Sequence, residues 1–320
     1  IPLFARNGSV YAPQVMVPYV DLGTDQKILV RTEHIAHDGV EAVAVNRLHI
    51  YTPISGSMQY MHLVYERYVN AATRADTWTW RGMWVATRTG YRAFVDVELV
   101  AVDWTELDFA VKETGKPDFS GGVAHGYQEL FAPLIALVDG ALVNVFSTQT
   151  WYECETFAMV DKTNILEQGN AAGVVRAVLR SMIDVAPGRV DFRNRLVHSG
   201  TWTINGLYLG MIAQDRVNDN GAVVSRMIDD QNYADTDVSD AGAQIILDGA
   251  EQISLISDRL GLNVTMRVSD VSNPQLARHA LAQRVAEHTK VYIGMVGVDT
   301  IVYASQPLEW KAQWEFNKLN

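Results

Sequence analysis

From Leu308 to Phe316 apolar and polar residues alternate without a break, with Leu308, Trp310, Ala312, Trp314 and Phe316 on one side and Glu309, Lys311, Gln313 and Glu315 on the other. A period of two gives an extended strand one dry face and one wet face, and it excludes a helix, whose faces repeat every 3.6 residues. Such a strand cannot bury its dry face alone; it needs neighbours in a sheet and a second layer above it. The chain supplies further candidates at short intervals. Within 59–69, Met61, Leu63 and Tyr65 oppose Tyr60, His62, Glu66 and Tyr68, and the second set predicts a wet, aromatic face. In Thr77–Trp84 all three tryptophans share a face and Arg81 lies on the other; in 104–112, Leu107, Phe109 and Val111 oppose Glu106, Asp108 and Lys112. Strands are also predicted over 27–33, 41–51, 92–100, 151–160, 201–213 with a glycine-bent centre, 262–269 and 292–303.

Turn chemistry orders these strands. Asp139-Gly140, between Leu134–Val138 and Ala141–Phe146, is the strongest hairpin signal in the chain. Residues 174–185 fit a helix through Val174, Val175, Val178, Leu179 and Met182, or a strand through their β-branched content. Ala186-Pro187-Gly188 followed by the alternation of 189–198 favours the strand. Pro274–His288 is the one helix candidate, and the Asp-, Asn- and Gly-rich 215–240 reads as a long loop whose spacing does not fit an EF-hand. The sum is an all-β chain, an antiparallel jelly-roll sandwich with minor helix: a lead-in over 1–35, then one domain over 36–320.

Composition narrows the function. Nearly half of the 320 residues are apolar (48%), enough for a sizeable core. No run of eighteen apolar residues and no charged-then-apolar leader is visible, so neither a membrane span nor a secretion signal is expected; Ile1 in place of Met suggests a processed or trimmed chain. The single cysteine, Cys154, excludes an internal disulfide and points to a reducing compartment. A net charge of −11 argues against nucleic acid and anionic membranes as partners. No cofactor and no metal site is expected.

Chemistry concentrates at Asp118–Glu129. His125, with an ordinary pKa of about 6.5, sits among Gly121, Gly122 and Gly126, and on a strand Glu129 would share its face with Tyr127 between them. The glycines equally suit a bulge or tight bend. A second concentration is Arg189, Asp191, Arg193 and Arg195 on one face of a strand, either an ion-pair ladder or a local positive surface for a carboxylate-bearing glycan.

Ala75-Asp76-Thr77-Trp78-Thr79-Trp80-Arg81, then Leu107–Lys112, then Pro117-Asp118-Phe119-Ser120-Gly121-Gly122-Val123-Ala124-His125-Gly126 resemble a group of phage tail-fibre and tail-appendage domains. That group carries a glycine–histidine signature, a Leu-Val-Asp-Gly hairpin, here Leu137–Gly140, and a later Arg-Asn-Arg strand, here Arg193–Arg195. Ala124 is an extra residue before the histidine, and Tyr127-Gln128 stands where the group has Asp. The resemblance implies a concanavalin-like jelly roll similar to alginate-lyase-type polysaccharide lyases, in a virion tail protein made in the host cytoplasm.

Three functions follow as expectations. The first is a receptor-binding module, a homotrimer beside other tail proteins, that recognises host surface polysaccharide through Arg81, His62, Tyr127, Arg193 and Tyr60. The second is a polysaccharide-degrading enzyme with His125 as base, Tyr208 or Tyr127 as acid, and Arg195 or Arg81 as carboxylate clamp; a hydrolase would instead use Glu129 with Asp108 or Asp118. The third is a structural virion component whose aromatic faces are subunit contacts.

Overall fold

The computed structural model describes residues 3–4, 10–11, 16–18, 27–37, 43–57, 59–70, 75–89, 94–113, 119–120, 127–128, 135–144, 151–167, 175–198, 200–215, 217–218, 221–222, 226–229, 235–237, 245–249, 251–257, 261–273, 279–285, 288–303 and 305–319. Among these residues the chain is all-β and without helix, and its strands pair antiparallel apart from isolated parallel contacts at Gln128 and Ser55.

Pairing runs in two series. One proceeds from Trp151–Cys154 through Ile28–His37, Val43–Pro53, Tyr60–Asn70, Ala75–Thr89, Phe94–Glu113, Trp202–Asp215 and His288–Val302 to His279–Val285 and Ile245–Asp248. The other proceeds from Ala141–Asn144 through Ile135–Val138, Phe157–Glu167, Val175–Ala186, Arg189–His198, Leu308–Lys318, Leu262–Ser269 and Gln252–Ser257 to Arg226–Asp229 and Asp235–Asp237. Tyr127–Gln128 joins them, pairing antiparallel with Ile165 and Leu166 and parallel with Asp76.

The two series face each other as layers of a sandwich. Trp310 Nε1 of the second donates to the Leu209 carbonyl of the first at 2.8 Å, in the buried interior. One strand along, a Cβ on Gly210 would stand 2.9 Å from Met266 Sδ, so the layers approach there more closely than any side chain allows. The last strand alternates as its sequence dictates: Leu308, Trp310, Ala312, Trp314 and Phe316 are buried and the residues between them are not. Phe192 meets Trp314 edge-on, with ring centres 5.0 Å apart.

One end of the sandwich is closed by backbone. Pro187-Gly188 joins two strands in register, and Thr52 of the facing layer clamps this turn: its hydroxyl donates to Ala186 O and accepts from Gly188 N, both at 2.9 Å. Ser55 then pairs with the last strand, its N–H donating to Phe316 O while its carbonyl accepts from Lys318 N. The Asp139-Gly140 hairpin forms as expected, both residues at positive φ (47° and 79°), as a type I′ turn requires.

Several expectations are corrected. Residues 279–285, expected as helix within Pro274–His288, are a strand, because partners on both edges satisfy its backbone and override the helical spacing; residues 274–278 lie outside the described ones. The two strands expected over 92–112 are one, Phe94–Glu113, which changes partner along its length. The strand expected over 151–160 is broken at Glu155-Thr156, whose amides both donate to Asp139 Oδ1 in place of a ladder. The expected 215–240 loop contains short strands, among them the pair Arg226–Asp229 and Asp235–Asp237. Within the strand Ile28–His37, Ile28, Leu29 and Val30 belong to the core.

Candidate functional site

Two arrangements of chemically capable side chains stand out. The first is the outer face of the sheet formed by Val175–Ala186, Arg189–His198, Leu308–Lys318, Leu262–Ser269 and Gln252–Ser257. Val190, Phe192, Leu196 and their partners are buried in the sandwich, so alternation sends the intervening residues outward. Cross-strand register then sets the polar residues in rows: Arg180, Arg195 and Glu309; Met182, Arg193, Lys311 and Ser269; Asp184, Asp191, Gln313, Arg267 and Gln252.

Ion pairs and hydrogen bonds tie the rows together. Arg195 Nε lies 3.1 Å from Glu309 Oε1 and Arg189 Nε 3.1 Å from Asp191 Oδ2, while Arg193 reaches Asp184. Gln313 Nε2 donates to Asp191 Oδ1 at 2.7 Å, and Arg267 donates to Gln252 Oε1. Among the described residues the face carries six cations, Arg180, Arg189, Arg193, Arg195, Lys311 and Arg267, against Asp184, Asp191, Glu309 and Glu315, in a chain whose net charge is −11. Both readings of the arginine strand are therefore present at once: a ladder of ion pairs, and a local positive surface.

The second arrangement is an imidazole pair on the facing layer. His49 Nδ1 and His62 Nε2 are 3.0 Å apart, and Tyr51 stacks on His62 with ring centres 4.2 Å apart and planes 9° from parallel. One imidazole donates and the other must accept, so the pair cannot hold two imidazolium ions while this bond lasts. Burial holds the His62 pKa well below its ordinary 6.5, and the proximity of His49 lowers it further. His62 keeps some exposed surface, but its ring is packed against Tyr51. Tyr60, expected on the same wet face, is buried with 2% of its surface exposed, as is Tyr51 with 2%.

The remaining predicted residues divide plainly. Arg193 and Arg195 are brought together on the exposed sheet face. Arg81 falls at a register shift in its strand, where Val64 pairs with Gly82 and Tyr65 with Trp80. Tyr208 pairs with Gly294 and Ala110 beside another register shift. Tyr127 pairs with Leu166, and Asp108 with Met211. His125, Glu129 and Asp118 lie outside the described residues. Lys311, Arg267 and Gln313, which share the arginine face, were not predicted as part of a site. Alternation alone put Lys311 and Gln313 on a polar face, but nothing local reveals which strand lies alongside.

No protein-family model matches the chain, and no curated protein matches its sequence. Among solved structures it is similar to the glycoside hydrolase family 36 α-galactosidase AgaA of Geobacillus stearothermophilus, with a TM-score of 0.47 and 5% identity. That match covers 85% of this chain and 41% of the galactosidase. It is also similar to the Slr1438 protein of Synechocystis sp. PCC 6803, with a TM-score of 0.34 and 8% identity over 84% of this chain and 96% of that one.

Proposed function

We propose that the chain is a β-sandwich recognition domain of a phage tail fibre or appendage, binding host cell-surface polysaccharide through the exposed face of the arginine-bearing sheet. The observation that supports glycan recognition is the five-strand polar face itself. Arginine, lysine, amide and hydroxyl groups are set on it at a strand's spacing of about 6.8 Å between alternate residues, on a backbone that neighbours hold on both sides. Sugars offer arrays of hydroxyls, and a rigid row of donors and acceptors meets them with little ordering cost. Assignment to a virion tail, with a trimeric assembly and other tail proteins as partners, rests on the sequence resemblance around Ala75–Arg81, Asp118–Gly126, Leu137–Gly140 and Arg193–Arg195.

A second reading, a structural virion component, draws support from the ion pairs: Arg189, Arg193 and Arg195 each have a carboxylate partner, which an ion-pair ladder needs and a binding face does not. Incubation of the protein with host-derived and defined polysaccharides separates the readings. Retention of a polysaccharide without cleavage is the expected result. Retention accompanied by unsaturated uronate absorbance or new reducing ends would make the domain an enzyme, and no retention on any polysaccharide would favour the structural component.

A further inference from the structure

The hairpin that carries the arginine strand sits in a register that its own turn does not favour. Val175–Ala186 and Arg189–His198 pair with Ala186 opposite Arg189, which leaves Pro187-Gly188 as a two-residue loop. Proline in the first position and Gly188 at φ +72° in the second make a type II turn, whose twist splays the strands of a hairpin instead of matching them. A slip of two residues would leave every side chain on its present face, because strand faces repeat every two residues. In the slipped pairing Gly188-Arg189 becomes the loop, with glycine where the favoured type II′ turn requires it. Asp184, now directly opposite Asp191, would come directly opposite Arg193. Against the slip stands Pro187, which has no N–H to close the new loop.

The interior face discriminates more sharply. Ser181 stands directly opposite Asn194, and its hydroxyl donates to Asn194 Oδ1 at 2.7 Å, beside the buried Ile183, Phe192 and Leu196. Both polar side chains are buried, with 1% and 4% of their surface exposed, and Asn194 Nδ2 has no acceptor among the described residues. A half-satisfied buried amide stabilises a core less than an apolar pair of the same shape does. It does choose between registers. The slip would set Asn194 opposite Ile183 and Ser181 opposite Leu196, burying the amide and the hydroxyl without the bond they now share.

We propose that the Ser181–Asn194 pair is a register lock, selecting the present pairing of this hairpin over a second one, two residues out of step, that the same sequence also encodes. Thr52 acts in the same sense from the facing layer, since its hydroxyl bridges Ala186 O and Gly188 N while Pro187-Gly188 is the loop. The ladder between Val175–Ala186 and Phe157–Glu167 already carries two register irregularities, between Met159 and Lys162 and between Leu166 and Glu167, so that edge accommodates displacement. The lock thereby sets which charges meet on the outer face, where Arg193 now stands opposite Met182.

Two double-cysteine reporters on the outer face read the register. Met182→Cys/Arg193→Cys places the thiols directly opposite each other in the present pairing, and Asp184→Cys/Arg193→Cys does so in the slipped one. Directly opposed residues lie within disulfide reach, whereas diagonal neighbours about 7–8 Å apart do not. Cys154 is buried and stays out of the exchange. Removing the lock with Ser181→Ala/Asn194→Leu is expected to leave the protein folded in thermal melts and to raise crosslinking of the slip reporter roughly tenfold over the same reporter in the otherwise unchanged chain. Ser181→Ile/Ile183→Ser conserves composition and moves the hydroxyl to where Asn194 stands in the slipped pairing; the slipped crosslink is expected to become the major product. Crosslinking through the native reporter alone in the variants that fold overturns the lock. Failure of both variants to fold overturns it as well, because the pair would then serve stability and not the choice of register.

Discussion

The Thr52 side chain shows how one hydroxyl can hold two layers together. It is fully buried, donates to Ala186 O and accepts from Gly188 N, so removing it strands two backbone groups in a dry setting. Thr52→Val should lower unfolding stability by about 3 kcal/mol in urea titrations, while Thr52→Ser keeps the hydroxyl and loses about 1 kcal/mol for the methyl. His62 makes a prediction in pH. Its folded pKa lies well below the unfolded value of 6.5, so between the two values the unfolded chain binds a proton that the folded chain refuses. Its contribution to stability is complete above pH 6.5 and is lost as pH falls below that value, with a slope of at most about 1.4 kcal/mol per pH unit. Urea midpoints measured from pH 7.5 down to 5 should fall, and His62→Gln should flatten that fall. Cys154 adds a chemical prediction: burial first, then Asp139 and Glu153, push its thiol up to about 12. A native sample should therefore leave the thiol unreacted with a disulfide reagent at pH 8, and a denatured one should react fully.

At the scale of elements, the two hairpins that the sequence announces differ in what surrounds them. Gly140 has φ +79° with nothing within 4 Å of an added Cβ, whereas Gly188 has φ +72° and its Cβ would meet Ser55 Oγ at 2.6 Å. Gly140→Ala should cost about 1–2 kcal/mol, the penalty of the left-handed conformation alone. Gly188→Ala should cost more, because the Ser55 hydroxyl must rotate away and the new Cβ still stands 3.4 Å from Pro53 O and 3.5 Å from Phe316 O. Parallel thermal melts of the two variants check the ordering. The same comparison explains which elements were legible. Asp139-Gly140 and Pro187-Gly188 punctuate the chain with residues whose backbone preferences are local, and the strands beside them form as read. Residues 279–285 carried helical spacing and form a strand, since the ladder partners that decide the matter, Ile245–Asp248 and His288–Val302, are distant in sequence or unmarked in the local pattern.

At the scale of the whole molecule the two layers meet closely at Gly210, where Met266 and Val268 take the space a Cβ would fill. Gly210→Ala should destabilise by about 1–3 kcal/mol, and Met266→Val in the same chain should return part of that loss, giving a non-additive cycle in urea titrations. The arginine face belongs to this scale as well. That Arg193 and Arg195 share a side followed from a period of two, and so did the outward set of Glu309, Lys311 and Gln313. That these two sets are neighbours, and that Arg193 meets Lys311 while Arg195 meets Glu309, is a matter of register between strands far apart in the chain. The reverse holds for Tyr60: alternation put it on a wet face, yet the fold buries its side chain, as it does that of Tyr51. The sequence by itself determined that the chain is β, where it turns, and which side chains share a strand face, because steric preferences and a two-residue repeat are local. Only the tertiary structure decided which faces are covered and which charges meet across strands, because burial and register are settled by contacts between segments that no local pattern encodes.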